Sequence, residues 1–324
     1  MTSTLGGPAV WRGVDMARRT DWCTELMPAH VAELLVATAG VADRPLADID
    51  REAFGLPTLG PVLDAVLDEL VDGRGFALLR GVPVDGLDEP ALERLYWGLG
   101  THLGIGIHQN DAGELLVHVK DQGLDFSNPE VRGYQTAQRL EYHSDSSDVV
   151  GLLCVHPARE GGVSTIVSAG AVFEEAVRRR PDLVTVLTAP WWWDKRKPDL
   201  TESFFQRPIF TVHEGAVVSY YGRAHIESAG RGPHVPELRA EQVAALDLLD
   251  DIANDAAFVL PMDFRPGDVQ LLNNYRIWHA RTAYVDDPAR PRDLYRLWLT
   301  LRTDIALPTA FQTGGITDRT AAFS

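Results

Sequence analysis

Residues 140–168 read LEYHSDSSDVVGLLCVHPAREGGVSTIVS, with His143-Ser144-Asp145 standing just ahead of the apolar run Val149–Val155. Residues i and i+2 of a strand point to one face, so this histidine and aspartate can serve a single pocket. Short apolar runs bounded by turn formers predict strands, here Val149–Val155 and Thr165–Val167. A second histidine, His279, closes the string Asn274-Tyr-Arg-Ile-Trp-His far downstream, and Arg292 follows it by thirteen residues (292 − 279). Two imidazoles and one carboxylate can hold one face of an octahedral Fe(II), leaving three positions open for a chelating co-substrate and O2. A guanidinium matches a carboxylate with two parallel hydrogen bonds, which suits Arg292 to the far end of a dicarboxylate chelator.

Working outward, Gly75-Phe-Ala-Leu-Leu-Arg-Gly81 reads as a buried strand and Leu115–Val119 as another. Phe204–Val212 and Ala216–Tyr221 flank a hairpin turn at Glu214-Gly215. The turn Arg265-Pro-Gly-Asp268 leads into Val269–Leu272, and Leu294–Leu301 is the final strand. Helical spacing predicts helices over His30–Thr38, Pro61–Val71, Pro90–Gly98, Ala169–Arg180 and Pro236–Asn254. Many short strands interrupted by helices predict a mainly β fold with helical insertions (α+β), built on a double-stranded β-helix, or jelly roll. The proposed ligands lie in both halves and must meet. Residues 75–324 therefore read as one catalytic unit and residues 1–74 as an N-terminal extension packed on it.

A short motif needs its context. A chain with ten histidines contains about one or two His-x-Asp/Glu triplets by chance. A competitor exists here, His225-Ile226-Glu227, read as a surface or hydrogen-bonded histidine after a hairpin. The first triplet is preferred for its surroundings: residues 140–168, and FRPGDVQLLNNYRIWHARTAYVDDPARPRDLYRLWL over residues 264–299. These stretches resemble the taurine dioxygenase family of Fe(II)/2-oxoglutarate-dependent oxygenases, relatives of γ-butyrobetaine hydroxylase and clavaminate synthase. The resemblance runs from about Gly75 to Arg302. It implies that His143, Asp145 and His279 are the iron ligands. It also implies that Arg292 binds the distal carboxylate of 2-oxoglutarate and that Thr165 hydrogen-bonds the co-substrate, with Ser164 an alternative alignment. Related halogenases carry a small residue where Asp145 stands, so oxygenation is expected over halogenation. The implied reaction is oxidation of a small amino-acid-like molecule or natural-product intermediate, with hydroxylation as the default outcome and succinate and CO2 as co-products. Two rivals stay open: a cupin-like metalloenzyme that does not use 2-oxoglutarate, and a non-catalytic small-molecule binding protein.

Composition narrows the partners. A net charge of −16 argues against nucleic acid, because phosphate binding needs a basic footprint. It also requires a locally positive co-substrate pocket, for which Arg292 and Arg296 are placed to supply charge. Arg296 reads equally as a clamp on a substrate anion or as an ion-pair partner. No apolar run approaches the roughly 20 residues that span a bilayer. Cys23 and Cys154 are the only cysteines, which fits a reduced cytoplasmic protein. Homo-oligomerisation is left open.

Further pocket candidates are Gln109 and Asn110, in a polar run ahead of a strand, together with Tyr221 and Asn274. Of Asn273 and Asn274, one should point inward. Trp191-Trp192-Trp193 reads as a packing cluster or as a mobile aromatic lid that excludes water.

Overall fold

The computed structural model describes residues 6–110, 112–124, 131–197 and 199–312. Its centre is two sheets that exchange the chain. A seven-stranded sheet runs in the order Cys23–Glu25, Phe76–Arg80, Val269–Asn273, Val149–His156, Asp293–Leu301, Gly104–Gly106, with Leu116–Val119 also pairing to Asp293–Leu301. A four-stranded sheet runs Leu260–Met262, Ser164–Ser168, Ile277–Arg281, Leu140–His143. From Leu140 onward the core strands alternate between them: 140–143 in the small sheet, 149–156 in the large, 164–168 small, 269–273 large, 277–281 small and 293–301 large. The fold is thus mixed α/β with many strands, and helices outside both sheets.

Both faces of the large sheet are covered, which is why Val149–His156 is an unbroken apolar run instead of an alternating one. On one face, helices Gly60–Val71 and Glu89–Thr101 bury Leu63, Leu67, Leu95 and Tyr96 against Leu79, Leu153, Leu271 and Leu297. On the other face, Phe76, Val150 and Leu272 meet Ile166 and Ile277 of the small sheet. The outer face of the small sheet carries Tyr142, Val167 and Trp278, packed in one core with residues of Ala169–Arg179 and Ala240–Ala253. The N-terminal residues join the same body. Cys23–Glu25 adds a parallel strand beside Phe76–Arg80, and Leu34 and Phe54 share a core with Leu271.

Several boundaries differ from expectation for local reasons. The segment 204–212 is two strands, because Phe204–Pro208 pairs with Pro190–Asp194 whereas Phe210–His213 pairs with Ala216–Ser219. Glu214 (φ 50°) and Gly215 (φ 78°) make the predicted hairpin turn, with two positive φ angles as a two-residue primed turn requires. The strand at residue 140 ends at His143. Asp145 is therefore held by a loop and not by strand alternation.

One ion pair closes the large sheet. Asp268, fully buried, accepts bidentate hydrogen bonds from Arg80 Nε (2.8 Å) and Nη2 (2.9 Å) and one from the Arg265 backbone N–H (3.0 Å). Gly267 sits at φ 84°, where a Cβ would lie 2.3 Å from the Val82 carbonyl oxygen. Breaking a buried pair from one side typically costs about 3–5 kcal/mol. Asp268→Ala is expected to lose about 3 kcal/mol, read as a lower urea midpoint. An unchanged midpoint would show that the pair does not lock the turn.

Candidate metal centre and co-substrate pocket

The pairing of Ile277–Arg281 with Leu140–His143 sets His279 directly opposite His143. Their rings lie 4.2 Å apart between centroids. Asp145 comes in from the loop. Its Oδ1 is 3.9 Å from His143 Nε2 and its Oδ2 is 3.9 Å from His279 Nε2. These separations are too long for hydrogen bonds, so three donors face a common gap without satisfying one another. The His143 Nδ1–H donates to the Glu141 carbonyl (2.8 Å), which leaves the Nε2 lone pair aimed at the gap. Burial, then the neighbouring His143, pushes the His279 imidazole down to about 3, so it stays neutral at pH 7. Two imidazoles and a carboxylate fit a divalent cation of the Fe(II) type.

Asp145 is tightly positioned. Trp298 Nε1–H donates to its Oδ2 (2.9 Å), and its backbone N–H donates to Asn274 Oδ1 (3.0 Å). Burial opposes its charge, but the guanidinium of Arg296, then His279 and His143, hold its carboxyl below the usual range. Arg296 Nη1 lies 3.8 Å from Asp145 Oδ2, over the rings of Tyr134 and Trp298. Gln109 locks that arginine. It accepts from Arg296 Nε (2.7 Å) and donates to the Arg296 carbonyl (2.8 Å).

A second cationic cluster lies on the same face of the small sheet. Arg281 is two residues beyond His279 on one strand, so both side chains point the same way. Arg281 and Arg292 both lie over the Tyr284 ring, at 4.7 and 5.0 Å, and both are buried. Gly162, at φ 68°, makes room there, since a Cβ would stand 3.2 Å from Arg292 Nε. Arg281 Nε and Nη1 and the Tyr284 hydroxyl are buried without hydrogen-bond partners. Burial, then the Arg292 charge, pushes Arg281 down to about 10. A buried donor left unpaired costs about 1–3 kcal/mol, so this cluster fits a carboxylate. The sequence reading missed Arg281, although its i+2 spacing from His279 was a usable signal.

The register also corrects the threonine. His279 faces Ile166 and Arg281 faces Ser164, which puts Ser164 on the side of the histidines. Thr165 pairs with Ala280 and turns the other way, towards Tyr142 in the outer core. Ser164 is buried and donates to Gln270 Oε1 (3.1 Å) across the two sheets.

Above the donors lies a cavity of about 240 Å³, lined by His143, Asp145, Gln109, Asn110, Tyr220 and Arg296, among others. Two expected substrate contacts do not reach it. The Tyr221 ring stacks on Trp278 (4.3 Å) and its hydroxyl donates to Asp250 (2.6 Å), because the residue lies on the outer side of the small sheet. Asn274 is spent on the loop, accepting from Asp145 N and donating to the Ser147 carbonyl (3.0 Å). Asn110 sits at the rim, but its side chain also caps the loop through Ala112 and Glu114. Trp191 and Trp193 are fully buried and donate to the carbonyls of Val186 and Arg207, so they are packing residues and no lid. The His225 Nδ1–H donates to the Asp194 carbonyl (2.8 Å), and Glu227 pairs with Arg223. A larger cavity, about 510 Å³ beside Trp192 and Arg239, contains none of the three donors.

Against this geometry, the sequence profile of the "Taurine catabolism dioxygenase TauD, TfdA family" matches residues 42–298. The chain belongs to that family. Among curated relatives, FR-33289 synthase of Streptomyces rubellomurinus is 29% identical over 316 residues, covering 95% of this chain and 93% of the relative. Clavaminate synthase 2 of Streptomyces clavuligerus is 25% identical over 308 residues, covering 84% and 90%. A crystal structure of asparagine oxygenase with Fe(II), 2S,3S-3-hydroxyasparagine and succinate shares the fold, with a TM-score of 0.65 at 18% identity, covering 86% of this chain and 93% of that one. As a family member the protein is an Fe(II)/2-oxoglutarate-dependent dioxygenase, which removes both rival readings. No helix among the described residues is long and apolar enough to cross a membrane.

Burial also lowers His225, to about 4. Unfolded imidazoles titrate near 6.5, so the unfolded chain takes up protons that folded His225 and His279 refuse. Stability of the metal-free protein is therefore complete above about pH 6.5 and falls as pH drops towards 4. Urea midpoints across that range should decline with acidity, and less steeply in His225→Gln. A wild-type midpoint that stays level would contradict these assignments.

Proposed function

We propose that this dioxygenase hydroxylates a small amino-acid-like molecule or natural-product intermediate, with His143, Asp145 and His279 holding the metal. The observation that carries this is the convergence of three donors, unpaired with one another, two of which, His143 and Asp145, line a small cavity. Relatives named FR-33289 synthase and clavaminate synthase 2 support the substrate class. So do the neighbouring structures of asparagine oxygenase with 3-hydroxyasparagine and of an iron oxygenase with hydroxy-arginine. The alternation of six strands between two sheets supports a double-stranded β-helix as the core. We read residues 75–324 as the catalytic unit and 1–74 as an extension packed on it. Acidic composition and two free cysteines support a cytoplasmic enzyme without a nucleic-acid partner.

Bound Fe(II) and 2-oxoglutarate supply O2 activation and the oxidising equivalent, with release of succinate and CO2. The chain supplies position and charge. Glu141 fixes the tautomer of His143 through its carbonyl, while Trp298 and Asn274 orient Asp145. Arg292, with Arg281 and Tyr284, is assigned to the distal carboxylate of 2-oxoglutarate, and Ser164 to a hydrogen bond with the co-substrate. Arg296, held by Gln109 beside Asp145, faces the substrate cavity and is assigned to the substrate side.

Anaerobic titration of the Fe(II) protein with 2-oxoglutarate, followed by the visible charge-transfer band, tests these roles. His279→Ala should bind iron poorly and give no band. Truncating one side of a desolvated charge pair costs about 2–5 kcal/mol, so Arg292→Ala should weaken 2-oxoglutarate roughly thirtyfold or more. Ser164→Ala should weaken it about tenfold, as for a hydrogen bond to a charged group, and Thr165→Val hardly at all. The reverse order for Ser164 and Thr165 would overturn the assignment by face.

A further inference from the structure

Asp145, Ser146 and Tyr220 line the cavity above the metal donors, and the same three residues line a second, much smaller space of about 20 Å³. Arg207, Tyr275, Phe311 and Gln312 complete much of the wall of that inner space. Asp145 therefore has the larger cavity on one side and, across a narrow gap, the short helix Thr309–Gln312 on the other. Its own strand ends at His143, so no strand ladder holds the carboxylate in place.

The short helix is tied to the 145–148 loop at two points. Arg207, buried, donates from Nε to the Ala310 carbonyl (3.0 Å), and its guanidinium lies over the rings of Phe311 (5.1 Å) and Tyr220 (5.0 Å). A hydrogen bond of 2.8 Å then joins the hydroxyls of Tyr220 and Ser146, the residue after Asp145. The second tie runs through Tyr275, whose ring meets Phe311 edge-on (6.3 Å between centroids). Its hydroxyl donates to Asp148 Oδ1 (2.9 Å), and Asp148 Oδ2 accepts from the Leu301 backbone N–H (3.0 Å). Phe311, Tyr220 and Tyr275 are all buried, so one apolar ring backs both tyrosines that grip the loop.

We propose that the helix Thr309–Gln312 belongs to the metal site, with Phe311 as a positioning residue that acts through Arg207, Tyr220 and Tyr275. It holds the 145–148 loop and keeps bulk water from the Asp145 carboxylate on the side away from the larger cavity. This rests on the reading of Asp145 as a metal ligand. The space of about 20 Å³ has room for little more than one water. Truncating a buried aromatic ring leaves a cavity that the surroundings fill only in part. Water admitted there raises the local dielectric and weakens the attraction between carboxylate and cation. A loop loosened at Ser146 and Asp148 also lets the carboxylate swing off the metal. Both effects speed the departure of iron.

Iron release from the anaerobic Fe(II) protein, trapped by a strong coloured chelator, tests this without turnover. Phe311→Ala should release iron about tenfold faster than the wild type, and Phe311→Leu, which refills much of the space, should restore slow release. Tyr220→Phe removes only the hydroxyl bond to Ser146 and should release iron about fivefold faster, as for a neutral hydrogen bond. Leu67→Ala makes a cavity in the separate core on the helix-covered face of the large sheet. It should lower the urea midpoint and leave iron release unchanged. In the metal-free protein, hydrogen exchange at the Asp145 amide, which donates to Asn274, should quicken in Phe311→Ala and not in Leu67→Ala. Wild-type release from Phe311→Ala, or equal acceleration in Leu67→Ala, would overturn the proposal. Should Phe311→Ala fail to fold, wild-type release from Tyr220→Phe does the same. Asp145→Ala separates the two readings. If it holds iron as the wild type does, the metal-site reading fails and this one with it; if it loses iron while Phe311→Ala releases it no faster, only the role of Phe311 is wrong.

Discussion

The site depends on the register of one strand. Ile277–Arg281 is hydrogen-bonded on one side to Ser164–Ser168 and on the other to Leu140–His143. Because side chains alternate with a period of two, a one-residue slip would turn His279 and Arg281 outward and bring Trp278 and Ala280 in. Trp278, fully buried in the outer core between Phe210 and Tyr221, opposes that slip. The outer core therefore enforces the inner chemistry. A large apolar ring on one face guarantees that the polar side chains stay on the other.

That arrangement gathers several charges into a region of low dielectric. Asp145, His279, Arg281, Arg292 and Arg296 are all buried, and an isolated buried charge is strongly disfavoured. The protein answers differently at each point. Arg296 is satisfied by Gln109 and balances Asp145, whereas Arg281 keeps unpaired donors beside Tyr284 and Arg292. The first is a permanent positioning contact. The second is a deficit that a carboxylate ligand relieves, which is the physical sense of a binding site built before its ligand arrives.

Helices and loops on the outside tune this core. Asn274 and Ser147 hold the loop that carries Asp145, so the ligand carboxylate is fixed by hydrogen bonds where strand geometry has ended. The wall of the cavity above the donors is made by residues from segments 109–110, 132–146, 196 and 220–225, with Arg296 and Trp298 from the large sheet. Most of the cavity wall thus sits on connections while the three donors sit on or next to strands, a division that lets the wall change without disturbing the donors.

Composition and periodicity were enough to foresee short strands with helical insertions, because covered strands must be continuous apolar runs and amphipathic helices must repeat every three to four residues. The strings around His143-Ser144-Asp145 and His279, with Arg292 beyond them, resembled the family that the profile over residues 42–298 matches, and metal and carboxylate chemistry restrict which side chains can serve there. Facing was what the linear sequence left undecided. Ser164 and Thr165 are adjacent and chemically alike, and only pairing with Arg281 and Ala280 tells which looks inward. Tyr221 and Asn274 are polar and near the motif, yet one is bound to Asp250 and the other to the 145–147 loop. Residue type determined what chemistry was available, and tertiary structure decided which groups share a space, because strand register and long-range packing are set by contacts that no short stretch of chain contains.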